Sequence, residues 1–318
     1  LTFARLRFDP ASWQALSEVA LDIGDPVTES ACWNAAWDMT TSAELAAADF
    51  VDLVGRRISS ATALPGLADL LGQAVQAADY YATPGQRPDL RRRLADAALA
   101  GAERAEAGGK QEQTLAVGFA TSAQSDVQLD LLAAWLRGQS LPGGVVTDID
   151  LRGRILLTLA AADRACDSDL DDLVAVDPVS GQVKAATCRA MRPDEAAKQA
   201  AWTAALSEQQ SPRMAIAHAQ GVWVPGQEEL MEPWRRRYFS QALVDVAARD
   251  TRTQQRLGRF LYPSILAEQA TVGLTEGALA RGDLTDTLRQ VLVSQKTILQ
   301  EIMAARASSR SGGPSASA

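Results

Sequence analysis

His218 is the only histidine in this chain of 318 residues, and that bounds the chemistry the chain can do alone. A zinc peptidase site of the HExxH type takes two histidines one helical turn apart plus a third ligand, so it cannot be assembled here. A Ser-His-Asp triad survives the count. Yet no GxSxG is present, and His218 follows the apolar run Met214-Ala215-Ile216-Ala217, which predicts a structural histidine. Cys32, Cys166 and Cys188 are odd in number, far apart and without a CxxC. They predict buried free thiols in a reducing compartment, not a disulfide framework. CDSDLDD at 166–172 has the alternating acids of a calcium loop in Asp167, Asp169 and Asp171. Its sixth position is Asp172 where Gly is needed, and its twelfth is Pro178 where the bidentate Glu belongs. An acidic helix start on a solvated surface is the better reading. No Walker A, GxGxxG or kinase set occurs. An enzyme working through paired carboxylates would need two buried acids with raised pKa values in one cleft, and no spacing selects such a pair. The sequence therefore offers no catalytic residue and no metal ligand set.

One stretch stands apart: Gly221–Phe239, GVWVPGQEELMEPWRRRYF. It holds Trp223 and Trp234, two prolines, Tyr238 and the triplet Arg235-Arg236-Arg237. The helical spacing of its surroundings breaks at Val224-Pro225-Gly226 and restarts at Gln227. An arginine triplet is ordinarily a solvated helix face. Trp234 and Tyr238 on either side also suit it to a substrate-facing role.

The rest of the chain must position this stretch. Its length allows about two globular domains or one elongated helical array. A net charge of −8 and a pI near 4.9, with basic residues scattered among acids, argue against nucleic acid or an anionic membrane as the main partner. No apolar run approaches the ~18–20 residues of a membrane helix, and no signal-peptide pattern opens the chain. The expected location is cytoplasmic. The first residue is Leu, which suggests a piece of something longer.

Leu1–Asp9 alternates apolar and polar residues and predicts a short extended segment with one face covered. Asp9-Pro10 and Asp25-Pro26 each start a helix. The first should carry Leu16, Val19, Ala20 and Ile23 to a stop at Gly24. The second, about 26–40, carries Trp33, Ala36, Trp37 and Thr40, with the two tryptophans read as core. Further helices are expected over 44–58, from Leu67 to Tyr81, from Leu90 to Gly101, over 111–123 and 126–137. Leu141-Pro142-Gly143-Gly144 is a loop, and Thr147-Asp148 caps the next helix. Three more precede Glu208. After the Gly221–Phe239 stretch come helices through 239–248 and 254–261, an interruption at Pro263, and a long final helix over Leu284–Ile302. The end, 308–318, is a flexible polar tail. Helix pairs recur every ~35–40 residues without verbatim repetition, in the range of degenerate helical repeats. The expected fold is all-α: a curved array of antiparallel helix pairs, a HEAT/armadillo-like α-superhelix.

Four segments, in this order and spacing, carry a family resemblance: LTFARLRFD, ACWNAAWDMTTSAELAAADFVDLV, LPGGVVTDIDLRGRILLTLAA and GVWVPGQEELMEPWRRRYF. Together they resemble the C-terminal helical domain of aminopeptidase N enzymes, in the form found in high-GC Gram-positive bacteria. The match runs from Leu1 to about Arg306. Family members are zinc aminopeptidases whose HExxH and GAMEN motifs lie in other domains, and neither motif occurs here. The resemblance implies that residues 1–307 are the C-terminal domain of an enzyme that removes N-terminal residues from peptides. By the same resemblance this domain caps the active-site chamber and helps bind peptide. Zinc belongs to the parent enzyme and no cofactor to this segment, which is expected to be inactive alone. The implied partners are the catalytic and β-domains of the same polypeptide and peptide substrates. Within that reading, Trp223, Arg235, Arg236 and Tyr238 are the substrate-binding candidates. Arginine fits because its guanidinium pairs a carboxylate through charge-assisted hydrogen bonds. A free-standing helical-repeat scaffold that binds protein partners is the alternative with the same fold.

Overall fold

The structure, a computed structural model, describes residues 6–59 and 66–311. Within them the chain is helical and contains no strand, as the all-α reading requires. It divides into two compact units, 1–155 with 304–318, and 156–303. Both divisions fall inside helices.

The first unit contains α1 (Pro10–Glu18), α2 (Pro26–Thr41), α3 (Ala47–Ile58), α4 (Leu67–Gln76), α5 (Arg87–Arg104), α6 (Lys110–Ser122), α7 (Asp126–Leu136) and the first half of α8 (Ile149–Ala161). The cap residues explain most of these starts. Asp9 Oδ1 accepts from the Ala11 and Ser12 amides at 3.0 Å each, and Asp25 accepts from Thr28 N at 2.9 Å. Ser125 and Gln128 form a capping box on α7, and Asp148 accepts from Leu151 N at 2.8 Å to start α8.

α3 packs on α4 and α5, α4 on α5 and α6, and α5 on α6, so α3 and α4 each meet both their successor and the next but one. That is the contact pattern of stacked helix pairs. Trp33 and Trp37 flank Phe50 at 6.3 and 5.5 Å, and Trp37 meets Tyr81 edge-on at 5.6 Å, so the tryptophan pair is core. A buried ion pair, Arg57 Nε to Glu29 Oε1 at 2.9 Å, ties α3 to α2.

Several boundaries depart from the sequence reading. α1 ends at Glu18, because Ala20 and Leu21 take left-handed backbone (φ 49° and 56°) and turn Leu21 fully inward. α3 starts at Ala47, after a left-handed Ala43. α4 continues into a π-helical turn, Ala77–Tyr81. In the predicted extended segment, Leu1–Arg5 lie outside the described residues; residues 6–9 carry no regular structure, and Leu6 is exposed.

The second unit holds the rest of α8, then α9 (Asp167–Val176), α10 (Pro178–Met191), α11 (Glu195–Leu206), α12 (Pro212–Gln220), α13 (Glu228–Arg237), α14 (Leu243–Ala247), α15 (Thr251–Phe260), α16 (Gln269–Ala280) and most of α17 (Asp286–Ser311). Asp177 both ends α9 and caps α10 through the Val179 and Ser180 amides. α10 packs on α9, α11 and α12, and α12 also packs on α15. The acidic run 166–172 starts α9, with Asp167 and Asp171 paired to Arg189 and Asp167 also to Arg192. α17 runs through Ser311, past the position where the sequence suggests a tail. The remaining tail residues, 312–318, lie outside the described residues.

Candidate functional site

The stretch 221–239 sits wholly in the second unit. Gly221 ends α12, and a side chain there would collide: a Cβ would lie 2.5 Å from Thr187 O and 2.6 Å from Ala190 Cβ. Only glycine lets α12 lie this close to α10. The chain then turns through Gly226, whose φ of +97° is the left-handed bend glycine permits, and α13 begins after Gln227.

Beneath this turn lies a junction of helix C-termini. Lys198, on α11, is fully buried. Its Nζ donates to Ala190 O (2.8 Å) at the end of α10 and to Gly221 O (3.1 Å) at the end of α12. Gln227 donates from Nε2 to Met191 O (3.0 Å) and to Ala161 O (3.2 Å) at the end of α8. Orphan carbonyls at three helix ends are thereby satisfied by two side chains. Burial pushes the Lys198 ammonium down to about 7, against partial support from Asp194.

Pro233 lies within α13, and the helix passes into a π-helical turn, Tyr238–Ala242. That wider turn brings both Tyr238 and Phe239 inward, where they meet Tyr262 edge-on at 5.4 and 6.2 Å. Tyr238 is completely buried and its hydroxyl donates to Gly258 O at 2.7 Å. Burial, and secondarily Tyr262, holds that hydroxyl well above the usual phenol range. Tyr262 donates to Thr275 Oγ1 (2.8 Å), whose own proton goes to Thr271 O. Trp223 is buried too, with Nε1 donating to Leu261 O at 2.7 Å.

The four candidate binding residues therefore take different positions. Trp223 and Tyr238 converge from inside on the last turn of α15 and hold it. Arg235 is braced to Glu232 and, at 3.1 Å, to Glu268. Arg236 is exposed and its guanidinium has no partner among the described residues. Arg237 lies over the Trp234 ring at 4.5 Å, and Trp234 meets Trp202 at 5.4 Å with the ring planes tilted by 56°.

Lys198 and Gln227 were not singled out by the sequence reading. A signal was present: Lys198, Ala201, Trp202 and Ala205 form the i, i+3, i+4, i+7 stripe that α11 buries.

The donor chemistry does not fit a zinc ion. His218 is half-buried and held below its usual range by burial and by Arg189, whose charge would oppose a cation. The Cys188 thiol is buried and pushed up to about 12. Among the described residues no group of three or more His, Cys, Asp or Glu could hold a metal ion. Of the cysteines, Cys32 and Cys188 are buried as expected, but Cys166 is exposed at the start of α9, where its thiol donates to Asp169. No helix among the described residues is long and apolar enough to cross a membrane.

Comparison with known proteins places this architecture. Residues 1–300 match the family described as the ERAP1-like C-terminal domain. The chain is 33% identical over 311 residues to Aminopeptidase N of Streptomyces lividans, an alignment covering 96% of the chain and 36% of that protein. The chain thus spans about a third of the length of the curated relative it matches.

Proposed function

The chain belongs to the ERAP1-like C-terminal domain family, and from that premise we propose that residues 1–307 form the C-terminal domain of a cytoplasmic zinc aminopeptidase. In this reading the domain caps the chamber over a metal centre held elsewhere in the parent polypeptide. A cap of this kind excludes bulk water and completes the surface that receives the substrate. The catalytic and β-domains are its partners, and peptides are its substrates.

The observation that carries the reading is the match of residues 1–300 to a C-terminal domain family. A second feature supports docking to other domains. Leu6, Val19, Ile23 and Val27, all within residues 6–27, are exposed large apolar side chains of the kind found where a surface is covered by a neighbour.

Arg236 is the residue we assign to peptide, because its guanidinium is free to pair a substrate carboxylate. Arg235 reaches the same ligand by exchanging Glu232 or Glu268 for it. Trp223 and Tyr238 act as positioning residues that keep α13 seated on α15.

Incubating the chain with an aminoacyl-anilide and added zinc tests the reading. No turnover is expected. Robust zinc-dependent hydrolysis would overturn the assignment of catalysis to other domains.

A further inference from the structure

A groove of about 840 Å3 runs along α3 in the first unit, walled by α1 and α5. Its size lies within the range of small-ligand sites, ~300–1,000 Å3. α3 and its C-cap line it from Asp49 to Ser59, a rise of ten residues and therefore ~15 Å, which matches about four residues of extended peptide. Trp13 of α1 forms part of the rim and Leu53 part of the floor. α1 itself buries no residue, so this wall is a helix resting on the surface.

The charges in the groove are unequally matched. Arg93 is paired with Asp52 and with Asp89 (2.9 Å), which neutralises the middle. The Asp49 side chain, toward one end, has no hydrogen-bond or ion-pair partner among the described residues. Arg56, seven residues on and so ~10 Å further along the same face of α3, has only the Ser17 carbonyl, at 3.0 Å, and no carboxylate. Asp49 is exposed to solvent on one side, but desolvation by the groove walls, with the Asp52 charge adding, raises its carboxyl above the usual range, as expected of a carboxylate with no cation beside it.

We propose that this groove binds a short peptide of three or four residues, with its amino end at Asp49 and its carboxyl end at Arg56. An extended peptide of that length carries its two terminal charges at the required separation. The carboxylate of Asp49 and the guanidinium of Arg56, neither paired to an opposite charge among the described residues, complement them in one direction only. The apolar floor and Trp13 take the side chains between. The site uses neither Arg235 nor Arg236 and requires no catalysis, so its test does not depend on the assignment of those arginines to substrate.

Titration calorimetry of the whole chain with tetra-alanine, its N-acetyl form and its C-terminal amide tests it. Tetra-alanine is expected to bind, and blocking either terminus to weaken binding about tenfold, the scale of one lost charge-assisted contact. Asp49→Asn should make binding insensitive to N-acetylation while keeping the effect of amidation; Arg56→Gln should do the reverse. Both side chains are exposed, and the blocked peptides probe the same contacts without altering the protein. Absence of binding to tetra-alanine at 10-fold above ~1 mM, or equal sensitivity to both blocks in both variants, would overturn the proposal.

Discussion

Replacing Lys198 with methionine isolates the physics of the junction beneath residues 221–227. Methionine keeps the apolar stem and removes the ammonium. Two effects oppose each other. Ala190 O and Gly221 O lose their donor, at a cost of about 1–3 kcal/mol for each buried group left unsatisfied. Against this, the variant no longer buries a charge. In the folded chain the Lys198 pKa falls from 10.5 to about 7, so between those values the unfolded chain binds a proton that the folded chain does not. Stability from this group is fully present above pH 10.5 and is lost as pH falls to about 7, at ~1.4 kcal/mol per pH unit, roughly 5 kcal/mol in all. Below pH 7 both states are protonated and the loss is constant. The wild-type chain should therefore exceed Lys198→Met in stability at pH 9.5 and lose that advantage, or reverse it, at pH 6.5. Urea unfolding of both proteins from pH 6 to pH 9.5 measures the difference, and subtraction cancels the other titrating groups. Parallel curves would refute the reasoning. They would mean that the dipoles of the helix C-termini hold the ammonium charged throughout, outweighing burial.

Other perturbations follow from single contacts. Glu29→Ala removes the closer of the two carboxylates paired with the buried Arg57 guanidinium, leaving the exposed Asp22 at 3.7 Å; thermal or urea unfolding should show a loss of about 1–3 kcal/mol. Gly221→Ala drives a methyl group into Thr187 O and Ala190 Cβ, and the forced separation of α12 from α10 should cost roughly 1–3 kcal/mol by the same assay. Reaction with an aromatic disulfide reagent should titrate one thiol rapidly in the native chain, Cys166, and all three only after denaturation.

Much of this architecture was readable because it is set locally. Asp9, Asp25, Asp148 and Asp194 act on amides two or three residues away, so the aspartates that open these helices are visible as short patterns. The break at Val224-Pro225-Gly226 and the restart at Gln227 are likewise local. What escaped depends on distant chain. α1 stops early because Leu21 is drawn into the core. The π-helical turn at Tyr238 exists where Phe239 and Tyr262 must meet, residues separated by more than twenty positions. Lys198 reads as an ordinary helix lysine until α10 and α12 bring their C-termini to it from eight and twenty-three residues away. The candidate binding residues divide along the same line. The types in the Trp/Arg/Tyr stretch were legible, but burial of Trp223 and Tyr238, and exposure of Arg236, are decided by α15 and its packing.

The measurement that bears most directly on a peptide-receiving role is made in a full-length parent aminopeptidase carrying this domain. Arg235→Ala/Arg236→Ala should be compared with wild type on an aminoacyl-anilide and on a peptide of about eight residues. Loss of a charge-assisted pair should raise KM for the peptide by about tenfold or more, while kcat/KM for the anilide, which has no distant carboxylate, stays unchanged. Equal losses on both substrates, or no loss on the peptide, would contradict the assignment of these arginines to substrate.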